Sequence, residues 1–70
     1  MSEYKLYEKE RNSIESLLEK GYRIKGVKDN LEGAIVVFEK EGKVAEHLQV
    51  MMADTRKYIS NLIAIQNKGA

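Results

Sequence analysis

Five consecutive apolar residues, Ala34-Ile35-Val36-Val37-Phe38, sit near the middle of a 70-residue chain. No other stretch constrains the fold as much. On a strand, successive side chains point to opposite faces. Ala34, Val36 and Phe38 then share one face, and Ile35 and Val37 share the other. Such a strand needs cover on both sides.

The residues before it carry turn chemistry: in Asp29-Asn30-Leu31-Glu32-Gly33, Asn30 and Gly33 tolerate positive φ. This predicts a hairpin between Tyr22–Lys28 and Ala34–Lys40. In the first strand Tyr22, Ile24 and Val27 are apolar among Arg23, Lys25 and Lys28. The alternation slips at Gly26, which predicts a bulge that returns Val27 to the face of Ile24. Glu41-Gly42 closes the hairpin, with Gly42 as N-cap of a following helix.

Glu3–Lys20 reads as a helix, with Tyr4, Tyr7, Ile14 and Leu18 on one stripe and Arg11 filling its gap. Gly21 is placed to end it as a C′ residue, and Tyr22 to fold back on the last turn. A competing reading starts the helix at Asn12, with Glu15 as a loose capping partner, and makes Tyr4-Lys5-Leu6 a short strand.

Lys43–Asn67 reads as one long helix. Val44, Leu48, Met51, Thr55, Tyr58, Leu62 and Ile65 recur in alternating steps of four and three, a heptad-type stripe. Ala45, Met52 and Ile59 widen it. Such a helix spans about 37 Å, against about 23 Å for a seven-residue hairpin, so part of it overhangs.

The predicted fold is α+β: helix, two-stranded antiparallel hairpin, long C-terminal helix, completed by dimerisation. Residues 1–70 form a single domain, with 68–70 as a frayed tail. A chain this short buries little of its surface and usually needs disulfides, a metal or oligomerisation. It has no cysteine and one histidine, His47, so neither a disulfide nor a histidine-rich metal site is expected. Association with a second copy or a larger protein is the compensation that remains. The expected interface combines Ile35 and Val37 with Leu48, Met51, Met52, Thr55, Tyr58, Ile59 and Leu62.

Nucleophilic catalysis needs a Ser, Cys or Thr beside a base, and His47 has only Glu46 beside it in sequence, which does not share its helical face. The glycines, at 21, 26, 33, 42 and 69, form no phosphate loop. The expectation is a non-enzyme without cofactor, acting as a binding or regulatory module. The alternative is a nucleic-acid-binding dimer that uses the basic first strand, Arg23, Lys25 and Lys28. Against it stands the balance of 12 Lys+Arg and 11 Asp+Glu, with a net charge of +1. Lysines on an edge strand also guard against aggregation without any ligand.

Residues 14–42, IESLLEKGYRIKGVKDNLEGAIVVFEKEG, resemble a helix–hairpin theme that recurs in small bacterial and phage proteins. The size, the Lys/Glu/Ile-rich composition and the absence of a catalytic set suit a small phage or prophage accessory protein. No apolar run approaches a membrane span, and MSEYKLYEKE has no hydrophobic signal core. A cytoplasmic protein without membrane association is expected.

Overall fold

The structure, a computed structural model, describes residues 3–68. It contains helix α1 (Glu3–Glu19), strands β1 (Arg23–Asn30), β2 (Gly33–Glu39) and β3 (Glu46–Val50), and helix α2 (Ala53–Lys68). The strands form one antiparallel sheet in the order β1-β2-β3. Helix, three-stranded sheet and helix make an α+β fold.

The helix reading of the N-terminal segment holds, and Tyr4-Lys5-Leu6 lies within α1. Its end is a Schellman closure: Tyr22 N–H bonds Leu17 O at 3.1 Å, and Gly21 N–H bonds Leu18 O at 3.0 Å. Tyr22 packs against the core from this position. The buried stripe differs from the one expected. Glu10, not Arg11, fills the gap above Ile14, and Tyr4 is exposed.

The hairpin forms with its predicted bulge. The register runs Ile24↔Phe38, then Gly26↔Val37 and Val27↔Val36, leaving Lys25 without a partner on β2. Ile24 and Val27 therefore face the same side. At the turn, Asn30 Oδ1 accepts from Glu32 N–H at 3.1 Å. Gly33 has φ +146°, and a Cβ there would lie 2.2 Å from Val50 O. Only glycine lets β3 end so close to the start of β2.

The single helix over Lys43–Asn67 is not what the chain adopts. Lys43 N–H bonds Lys40 O at 3.0 Å, and Gly42, at φ +80°, sits in that turn instead of capping a helix. The chain then returns as β3, paired along β2 from Ala34↔Val50 to Phe38↔Glu46. The two-stranded hairpin is thus a three-stranded sheet. Helical spacing in Val44, Leu48 and Met51 coexists with strand alternation in Glu46, Leu48 and Val50. Pairing with β2 decides between them, since strand formation depends on neighbours more than on local preference.

Of the two apolar faces of β2, the one that carries Ala34, Val36 and Phe38 forms the core. Ala34, Val36 and Phe38 are buried with Ile24, Val50, Ile14 of α1 and Ile59 of α2. Both helices therefore cover the same face. The stripe on α2 runs Thr55, Ile59, Leu62/Ile63 and Gln66, and Ile65 points out to solvent. A straight helix drifts away from a strict heptad, which moves the buried line from Ile65 to Ile63 and Gln66. Of the predicted frayed tail, Lys68 is still helical; positions 69 and 70 lie outside the described residues.

Candidate interaction surface

The uncovered face of the sheet brings together residues from all three strands. Ile35 is paired between Lys28 and Gln49, and Val37 between Gly26 and His47. Both apolar side chains are half-buried. The side chains of Asn30 and Gln49 meet across this face, with Asn30 Nδ2 donating to Gln49 Oε1 at 2.8 Å and Gln49 Nε2 donating to Asn30 Oδ1 at 3.3 Å. Arg23 and Glu39 are registered opposite one another at the far end.

The residues expected to form one seam are not on one surface. Thr55 and Ile59 are 0% and 1% exposed, inside the chain's own core. Leu48, Tyr58 and Leu62 pack against that core from its rim, and Met52 is half-buried. Met51 is 55% exposed, just beyond the end of β3. Ile35 and Val37 alone of that set occupy the open face. The heptad reading joins Leu48, Met51 and Met52 to the residues of α2 only by continuing a helix through β3.

The basic residues divide as well. Arg23 and Lys25 line a shallow hollow with Glu39, Lys40, Glu41 and Lys43, and Lys28 stands apart beside Ile35. Four cations there face two carboxylates. Lys40 is already engaged, since Nζ donates to Lys20 O and lies 5.8 Å from the Tyr22 ring centroid. Asp29, further along β1, is paired with Arg56 at 2.9 Å.

A buried carboxylate escaped the sequence reading. Glu10 Oε2 accepts from Met51 N–H at 2.7 Å, and Oε1 accepts from Met52 N–H at 3.3 Å and Thr55 Oγ1 at 2.5 Å. Met52 O accepts from Arg56 N–H, which makes Met52 the N-cap of α2. Glu10 thus does from another helix what a capping-box glutamate does within one. It also places negative charge at the positive end of α2. Both oxygens of this carboxylate accept bonds from the start of α2, and the side chain is buried. Its place in the helical line Tyr7-Glu10-Ile14-Leu17 was the available signal.

A second cluster ties α1 to α2. Glu15 Oε2 accepts from Arg11 Nε at 3.0 Å and from Tyr58 OH at 2.9 Å, and Arg11 Cζ lies 5.2 Å from the Tyr58 ring centroid. The Arg11 guanidinium, and then the Tyr58 hydroxyl, hold the Glu15 carboxyl below the usual carboxylate range. Burial, and then the bond to Glu15, raise the Tyr58 hydroxyl. Arg11 is raised further by the same pairing.

Among the described residues no three His, Cys, Asp or Glu side chains are grouped to hold a metal ion. No described helix is long and apolar enough to cross a membrane. His47 is exposed on β3 beside Val37. The chain matches no protein-family model, and comparison with curated proteins and with solved structures finds no match.

Proposed function

We propose that the chain is a non-catalytic binding module that engages a protein surface through the open face of its sheet. The observation that carries this reading is the placement of both helices on one side. Ile35 and Val37 are left half-exposed at the centre of the other side. An apolar centre ringed by Lys28, His47, Asn30 and Gln49 has the composition of an interface with a polar rim. The surface belongs to the middle strand of a paired sheet, so it is rigid before any partner arrives, and little ordering entropy opposes binding.

The test is capture from the source cell with the native chain and with an Ile35→Asp/Val37→Asp variant. Both positions are on the open face, so circular dichroism should show the fold retained. A protein held by the native chain and lost by the variant is the expected result. Equal capture by both overturns the reading.

The hollow lined by Arg23, Lys25, Lys40 and Lys43 favours a second reading, nucleic-acid binding. It requires affinity that falls steeply with salt. Affinity unchanged in an Arg23→Ala/Lys25→Ala variant removes it.

A further inference from the structure

The two edges of the sheet are treated differently by the rest of the chain. β1 is guarded. It carries a bulge at Lys25-Gly26, lysines at 25 and 28, and a side-chain cap. That cap is Gln66 of α2, whose Oε1 accepts from Ile24 N–H at 3.1 Å and whose Nε2 donates to Ile24 O at 2.8 Å. A side-chain amide there occupies the groups that another strand would use. These are recognised means of blocking an edge.

Among the described residues, β3 has no bulge, no lysine and no side-chain cap from another element. Its pairing with β2 is free of register shifts, and Glu46–Val50 contains neither lysine nor proline. The side-chain bond to its backbone comes from its own Gln49, to Val50 O at 3.1 Å, at the last residue of the strand. Large apolar side chains bracket it instead: Val44 is 85% exposed and Met51 55%. The two edges therefore differ: β1 is blocked by several devices, while β3 has only its shortness and the exposed Glu46, and lies between exposed apolar flanks.

We propose that β3 pairs with β3 of a second copy, antiparallel about a twofold axis through Leu48, to give a continuous six-stranded sheet. A twofold axis at Leu48 is the symmetric register that pairs all five residues of the strand. Leu48 then meets Leu48, His47 meets Gln49, and Glu46 meets Val50. No like charges face each other, whereas an axis through Glu46 would oppose two carboxylates. Beyond the strand, Val44 meets Met52 and Met51 meets Ala45, so both exposed apolar flanks gain apolar neighbours. On the helix side, the row Val27-Val36-Leu48 continues into its own copy. On the other side the two open faces merge into one surface twice as wide. This goes beyond the open-face reading, because it concerns the edge and a second copy, and each can fail alone.

The chain has no cysteine, which permits a direct test. In a His47→Cys/Gln49→Cys variant each new thiol faces the other across the axis. Oxidation should give a covalent dimer in high yield, while either single variant and an Arg23→Cys/Lys28→Cys control on β1 should not. Sedimentation equilibrium should show a concentration-dependent dimer. A Val44→Asp/Met51→Asp variant, altered only at exposed positions, should weaken it about tenfold or more while remaining folded. The Ile35→Asp/Val37→Asp variant should still dimerise, which separates the edge from the face. A native chain that stays monomeric up to millimolar concentration overturns the proposal. So does dimerisation unaffected by Val44→Asp/Met51→Asp, or a cysteine pair that does not cross-link.

Discussion

Glu10 and Thr55, 45 residues apart in sequence, are joined by a 2.5 Å hydrogen bond in the interior, from the Thr55 hydroxyl to the Glu10 carboxylate. The same carboxylate takes up the backbone N–H groups of Met51 and Met52. One charged side chain from α1 therefore fixes where α2 begins.

Removing that carboxylate leaves three donors without an acceptor. Glu10→Ala should lower unfolding stability by about 3 kcal/mol, since a buried unsatisfied donor costs about 1–3 kcal/mol and the effects overlap. Thr55→Val, which keeps the shape and removes one donor, should cost about 1 kcal/mol. Denaturant titration of both variants measures the order. Equal losses would mean that the cap on α2 is not what Glu10 supplies.

Gln66 should matter more for solution behaviour than for stability. Gln66→Ala removes two neutral hydrogen bonds, about 1–2 kcal/mol, and bares the backbone of Ile24 on β1. Faster exchange of the Ile24 amide and increased aggregation on storage are expected. Light scattering and hydrogen exchange report them separately.

Gly33 and Gly26 should differ sharply in their response to alanine. At Gly33 the new Cβ meets Val50 O at 2.2 Å in a backbone conformation that disfavours side chains. A loss of about 3 kcal/mol or more is expected. At Gly26 nothing lies within 4 Å of the added atom, so the change should stay within about 0.5 kcal/mol. Thermal denaturation of the pair measures the contrast.

Glu15 gives the fold an acid-side dependence. Its carboxyl titrates below its ordinary 4.5 when folded. A depressed carboxyl contributes stability above its unfolded pKa and loses it as pH falls through the folded one. The native chain should therefore lose stability below pH 4.5 more steeply than Glu15→Gln. The group is well exposed, so the difference is small and shrinks with added salt. Denaturation midpoints across that range, at low and high salt, test it.

Much of the fold was legible because its signals are local. Gly21-Tyr22 marks the end of α1, the slip at Gly26 marks the bulge, and alternation picks Ala34, Val36 and Phe38 as the inner face of β2. β3 was not legible. Val44, Leu48 and Met51 satisfy a helix as well as Glu46, Leu48 and Val50 satisfy a strand, and only the demand of β2 for a second neighbour decides. The burial of Thr55 and Ile59, which were expected at an interface, was hidden for the same reason. Thr55 and Ile59 face inward because α2 starts ten residues later than the stripe implied. Glu10 was obscured by its charge, as its partners lie 41 to 45 residues away.

The order of the sheet has a consequence for how the chain reaches this state. Its strands pair with sequence neighbours, so each hairpin closes over a short loop and can form early. The Glu10–Thr55 and Ile24–Gln66 links span 45 and 42 residues and must come late. Until α2 docks, the meander lacks the Gln66 cap, and the backbone of Ile24 stands open on β1. A nascent or partly unfolded chain in that interval has only the bulge and the lysines of β1 to keep a further strand from that edge. The docked helix adds the last block and leaves β3 as the edge on which a second chain can pair.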